Sequence, residues 1–352
     1  MDDLFSRQRG WWGYHWAPPQ PLSITQILAS GSMDTELAAL LWLLVEGRVP
    51  VVVAAEAPLA GKSTTLTALM DFLPAQVSKV FLRGWTEDFS WLPRADDLGW
   101  PGWEEAARSM RGALVEPEDP STAFRQARMR RQLVVEDAGR PASEPADPKT
   151  AYLLASELSS HLPVYTWGLQ ARTAVRALQR GYGLGTSLHA DSLEELFEQL
   201  EAQPVGLTAD EIRRLGVVIV LRLFGPDGAP LHFAEGSMEA EFGPLQPFVR
   251  RRAVVVHYLR PVERDGAGHL QRRPPAVLAT WEPESDCFEH FAWGVVPELA
   301  DRVERSQADF EREHASRTEY LRGLLDSGVW RVSAVRRAIA AYRPGVGPAR
   351  PH

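Results

Sequence analysis

The sequence predicts an α/β protein with a mostly parallel sheet and a C-terminal α+β extension, and three observations carry that prediction. Residues 49–65, VPVVVAAEAPLAGKSTT, run from a β-branched apolar strand through a small-residue loop into a helix. Leu66, Leu69, Met70 and Leu73 of that helix fall on one face. From there to residue 223, apolar strand-like runs alternate with capped helical segments, the pattern of a parallel sheet flanked by helices. Past Leu223 the pattern changes: PDG makes a turn, and RRAVVVHYL and PAVLATWE read as antiparallel strands. A helical region then runs from Pro297 to Tyr342.

Taken in order, residues 1–21 are aromatic and proline-rich (Trp11, Trp12, Tyr14, Trp16, then PPQP) and read as an irregular arm. Ser23 and Gln26 form a capping box that opens a short helix. Asp34 caps a second helix, TELAALLWLLVE, which Gly47 terminates. That helix is apolar almost all round, so it is expected to be buried against the sheet. After Pro74 the run SKVFLRGW reads as a strand, and residues 86–120 as loop and short helix. Residues 121–132 read as helix, QLVVEDA as a strand and 138–149 as a linker. AYLLASELS is an apolar strand that reaches Glu157, and a helix from Ala171 to Arg180 leads to glycines 181, 183 and 185 and the short strand TSLHA. Ser192 with Glu195, and Thr208 with Glu211, cap two more helices before the buried strand GVVIVLRL. The expected organisation is the arm at 1–21, a core at 22–224 and the extension at 225–352.

The chemistry concentrates at Gly61-Lys62-Ser63-Thr64. Strand, loop, GK[ST] and helix make a phosphate-binding loop: backbone N–H groups and the positive helix end face phosphates, Lys62 neutralises their oxygens, and Ser63 can ligand Mg2+. The full pattern asks for Gly five residues before Gly61, where this chain has Glu56.

The bulk composition excludes several classes. A net charge of -8 argues against a nucleic-acid partner, which needs a basic face. The short basic runs Arg128–Arg131 and Arg250–Arg252 read as solvated faces ahead of binding patches. A lone Cys287 rules out an internal disulfide and a cysteine-rich zinc site. The start, MDDLFSRQRGWWGYHW, does not read as a signal peptide. The longest apolar region, 37–55, is interrupted by Glu46, Arg48 and Pro50, so no membrane helix is expected. A cytoplasmic location follows, at most at the inner face of the cell membrane.

Three stretches resemble the secretion ATPases of the type II/IV secretion and pilus-assembly superfamily, over roughly residues 20–224. GKSTTLTAL is similar to the Walker A loop and its helix, and RGWTED, ending in Glu87 and Asp88, sits where the family has its Asp box. GYGLGTSLHADSLEELFEQL, with His189, is similar to the His box. The resemblance implies a RecA-like P-loop NTPase core that binds ATP and Mg2+. Gly61, Lys62, Ser63 and Thr64 would hold the nucleotide, Ser63 and Asp88 the metal, and Glu87 and His189 would act near the γ-phosphate. It also implies self-association, a hexamer being one form, and an inner-membrane platform protein as partner.

The family's Walker B strand ends in Gly-Glu, whose Glu polarises the attacking water; here YLLASE offers Ser156 and Glu157, and LVVED offers Glu136 and Asp137. Family spacing would put that Glu near Val164 or Tyr165, yet no acid lies between Glu157 and Asp191. Either HLPVYTWGLQ is an insertion and Glu157 is the catalytic acid, the assignment taken here, or the acid is missing. Arginine fingers in the family come from a neighbouring subunit, often from an N-terminal domain that residues 1–21 leave no room for, so Arg83 and Arg172 stand as substitutes. The implied function is an ATP-hydrolysing secretion or pilus-assembly motor; the alternative is a non-hydrolysing P-loop scaffold or regulatory subunit of such a machine. An unrelated P-loop kinase is the remote third reading.

Overall fold

The computed structural model describes residues 21–56, 59–106, 108, 144–161, 165–231 and 249–344. The aromatic arm at 1–20, the helix expected at 121–132 and the strand carrying Glu136 and Asp137 lie outside the described residues. The strands are β1 (Val51–Ala54), β2 (Ser78–Phe81), β3 (Ala151–Leu154), β4 (Gly183–Leu188), β5 (Val217–Phe224), β6 (Arg250–Tyr258), β7 (Glu263–Arg264), β8 (Leu270–Gln271), β9 (Ala276–Glu282) and β10 (Cys287–His290). The helices used below are α1 (Ile24–Ala29), α2 (Thr35–Glu46), α3 (Lys62–Met70), α4 (Gly168–Ala177), α5 (Leu193–Glu201), α6 (Ala209–Ile212), α7 (Val296–Arg302), α8 (Gln307–Asp326) and α9 (Val332–Ala341).

Eight strands form one sheet in the order β10-β9-β6-β5-β1-β4-β3-β2. The stretch β5-β1-β4-β3-β2 is parallel throughout, and β6, β9 and β10 continue it antiparallel. The molecule is therefore α/β with a mixed, mostly parallel sheet. The expected change of character past Leu223 is real, but the sheet does not break there: β6 pairs directly with β5 along its whole length.

Alternation of side chains along buried strands feeds two cores. Val51, Val53, Tyr152, Leu154, Val217 and Ile219 face one, with α1, α2, α3 and the C-terminal helices. Val52, Ala54, Leu153, Leu184, Val218 and Val220 face the other, with α4, α5 and α6. The caps read from sequence form as expected. The Ser23–Gln26 and Thr208–Glu211 capping boxes are complete, Asp34 accepts from the Leu37 N–H, and Ser192 accepts from the Glu195 N–H.

Helix α2 is buried over Leu37–Val45 for a reason beyond the sheet. Its outer face is covered by α8 and by the chain after α9. There Arg317 stacks over Trp42 at 4.8 Å and pairs with Glu46 at 2.8 Å, and the Tyr342 ring lies 4.9 Å from that of Trp42.

Two local expectations are corrected. Gly183 and Gly185 belong to β4 itself, which starts ahead of the expected strand TSLHA. The Tyr152 ring fills the space beside Gly183, where a Cβ would come within 2.2 Å of its Cδ2. The strand expected through Glu157 stops at Leu154, although the Ala155 and Leu158 N–H groups still donate to the carbonyls of Gly185 and Ser187.

Candidate functional site

Ligand sites of parallel sheets lie outside the carboxyl ends of the strands, because successive crossovers splay apart there. The chain leaves β1 into the loop that ends at Gly61, β3 toward Glu157, β4 into His189 and β2 toward Glu87. All four therefore start from one edge of the sheet, and β1 and β4 are direct neighbours.

The loop after β1 closes on Gly61, which takes φ +93°, and α3 starts at Lys62. Gly61 caps α3 without a side chain, so the first-turn N–H groups of Lys62, Ser63 and Thr64 have no side-chain cap. Uncommitted amides at a positive helix end fit a phosphate. Glu56, standing where the pattern asks for Gly, is exposed. Leu59 is held at φ +59°, a left-handed conformation that costs a branched side chain more than it would cost glycine.

Lys62 Nζ lies 3.6 Å from Glu157 Oε2 and donates to the Ala55 carbonyl at 3.3 Å. Glu157 is buried, and the hydroxyl of Ser187 on β4 lies 3.4 Å from Oε2 while donating to the Ser156 carbonyl at 2.7 Å. The parallel run of the chain after β3 beside β4 sets this pairing, since it puts Glu157 opposite Ser187. His189 follows β4 directly. Burial, then the Lys62 ammonium, push its pKa down to about 4, with Glu157 opposing, so it is a neutral imidazole at pH 7. The His161 ring packs edge-on to His189 at 5.5 Å, and His161 Nδ1 lies 2.6 Å from Ser159 Oγ. Lys62, Glu157 and His189 thus form one group, with Ser187 and His161 around it.

Glu87 and Asp88 do not join that group. Glu87 is fully buried in its own loop, where it accepts from the N–H groups of Arg83 (2.9 Å) and Phe89 (2.8 Å) and from Trp91 Nε1 (3.1 Å). Burial raises its pKa, and the neighbouring Arg83 opposes the rise. Among the described residues every donor it meets lies within residues 83–91, so it pins that loop instead of joining Lys62. Asp88 pairs with Arg83 and accepts from the Ser90 N–H. Of the expected metal pair, Ser63 sits in the first turn of α3, while Asp88 is engaged by Arg83. Among the described residues no cluster of three His, Cys, Asp or Glu side chains could hold a metal. Mg2+ keeps most of its waters and takes few protein ligands beside phosphate oxygens, so Ser63 alone fits it.

Arg83 is tied to Glu87 and Asp88, and Arg172 donates to the carbonyls of Val205 and Pro204. Three neighbours of the group were not read from sequence: Ser187, inside TSLHA, His161, four residues after Glu157, and Arg251. Arg251 lay in a basic run read as a solvated face, yet its Nε donates to the Leu59 carbonyl at 3.2 Å.

No protein-family model matches the chain. It is similar to two uncharacterized proteins of Methanocaldococcus jannaschii. With MJ1287 it shares 24% identity over 307 residues, 85% of this chain and 90% of that protein. With MJ0900 it shares 25% identity over 199 residues, 56% of this chain, which thus matches about 30% of MJ0900's length. Among the described residues no helix is long and apolar enough to cross a membrane.

Proposed function

We propose that the chain is an ATP-binding P-loop protein with a RecA-like core that hydrolyses ATP, in the manner of the secretion and pilus-assembly motors its motifs resemble. The observation that carries the reading is the 3.6 Å approach of Lys62 to Glu157 at the carboxyl edge of β1 and β3. A P-loop lysine and a buried carboxylate beside it are the two charges that phosphoryl transfer to water requires. The uncapped amides after Gly61 and the Lys62 ammonium would cradle the phosphates. Glu157 would align the attacking water and accept its proton. Lys62 would exchange its contact with Glu157 for phosphate oxygens, releasing the carboxylate for that role. Neutral His189 would report the γ-phosphate by hydrogen bonding without adding charge. Magnesium, held through Ser63, would neutralise phosphate oxygens as a Lewis acid. A cytoplasmic ring working against an inner-membrane platform protein is the setting this reading implies.

The test is ATP binding by tryptophan fluorescence, with steady-state hydrolysis, for wild type, Lys62→Ala and Glu157→Gln. Lys62→Ala is expected to lose binding, and Glu157→Gln to bind while turnover falls about 10²-fold or more. Turnover unaffected by Glu157→Gln would sink the assignment of the base. The second reading, a non-hydrolysing P-loop scaffold, draws on Glu56 and on left-handed Leu59; it predicts wild-type binding without turnover.

A further inference from the structure

The basic run at the start of β6 splits its duties. Arg252 is buried and forms a two-point pair with Asp286 (2.9 and 3.0 Å), and Arg250 lies 3.9 Å from the same carboxylate. Strand alternation sends the intervening Arg251 the other way. Because β6 runs antiparallel to β5 and its residue 251 pairs with Leu223, the start of β6 lies at the carboxyl edge of the parallel strands, where the phosphate loop sits. The Arg251 stem reaches over that loop: a Cβ on Gly61 would come within 3.2 Å of Arg251 Cδ, and Nε donates to the Leu59 carbonyl.

Arg251 is half-buried, and burial lowers its pKa. Among the described residues no acid lies within ion-pair distance of it. An ion withdrawn from water without a counter-charge is costly unless an anion completes the site. The helix that opens with Lys62 directly after Gly61 has no side-chain cap, and a guanidinium fork matches phosphate oxygens geometrically.

We propose that Arg251 is a second cationic ligand for the phosphate chain, supplied from β6 of the same molecule. The proposal rests on the P-loop reading above. It differs from an arginine lent by a neighbouring subunit, because Lys62 and Arg251 belong to one chain and one sheet. Phosphate binding through Arg251 therefore needs no assembly.

The experiment measures binding of Mg-ATP and of tripolyphosphate, which has no base or sugar, to dilute full-length protein. Wild type, Lys62→Ala, Arg251→Met and Arg251→Lys are compared, each also melted without ligand. Arg251→Met is expected to weaken both ligands about ten- to a hundredfold, the scale of a charge-assisted hydrogen bond, with an unchanged ligand-free melting temperature. Arg251→Lys, which keeps the charge, is expected to recover a large part of that loss. Binding within twofold of wild type in Arg251→Met, while Lys62→Ala loses it, would overturn the proposal and leave the P-loop reading standing. Equal loss in the Met and Lys variants with a lowered melting temperature would make Arg251 only a brace for the Leu59 carbonyl, which also overturns it. Failure of wild type to bind either ligand would remove both readings.

Discussion

His189 separates what a residue's identity suggests from what its surroundings permit. Half-buried near an ammonium, it holds its proton only below about pH 4, against 6.5 for a free imidazole. Between those values the unfolded chain binds a proton that the folded chain does not. Its linkage contribution to stability is therefore lost as pH falls from 6.5 toward 4 and is fully present above 6.5. His189→Gln is expected to flatten that part of the stability profile, as read by urea denaturation at pH 7 and pH 5; an unchanged slope would refute the assignment. Glu87 makes the complementary case. All three of its hydrogen-bond partners are N–H donors, so the amide of Glu87→Gln must set one N–H against another. We expect a loss of about 1–3 kcal/mol with ATP affinity unchanged. A variant that melts like wild type but stops hydrolysing would restore Glu87 to the catalytic group.

At the scale of elements, the packing of β4 on β3 is decided by one missing Cβ. The Tyr152 ring edge fills the space where a Gly183 Cβ would stand, and its hydroxyl donates to the Val49 carbonyl at 3.1 Å, so the ring cannot move aside without losing a buried hydrogen bond. Gly183→Ala is expected to destabilise the protein by about 1–3 kcal/mol, the cost of overpacking a filled core. Thermal melting checks it, and an unchanged midpoint would mean that the ring has somewhere to go. The shift also reaches the site, because β4 carries Ser187 and His189 at its end. The sequence named these elements well where the signal is local: caps at Ser23, Asp34, Ser192 and Thr208 depend only on residues three apart. It left glycines 183 and 185 outside the strand, since the reason for Gly183 is an aromatic ring 31 residues earlier in the chain.

At the scale of the whole molecule, the sheet runs without interruption from β2 to β10. A fragment holding residues 22–224 would expose the full edge of β5 and strip α8 from α2. That would bare Trp42 and leave Glu46 without Arg305 and Arg317. Such a fragment is expected to aggregate or remain unfolded when expressed alone. A soluble fragment with a cooperative melt would show that the extension is dispensable for folding. The same continuity delivers Arg251 to the Leu59 carbonyl.

The sequence alone determined the α/β class and the strand–loop–helix course around Gly61–Thr64, because each is written in local spacing, while Glu157 and His189 became candidates through the family resemblance. Tertiary structure alone decided which carboxylate meets Lys62. Glu157 and Glu87 both follow parallel strands, and only sheet order and loop closure bring the first to the ammonium while folding the second into its own turn. Arg251 was invisible for the same reason. A residue on an antiparallel strand, 189 positions after Lys62, acquires meaning only when the sheet reverses direction beside the loop.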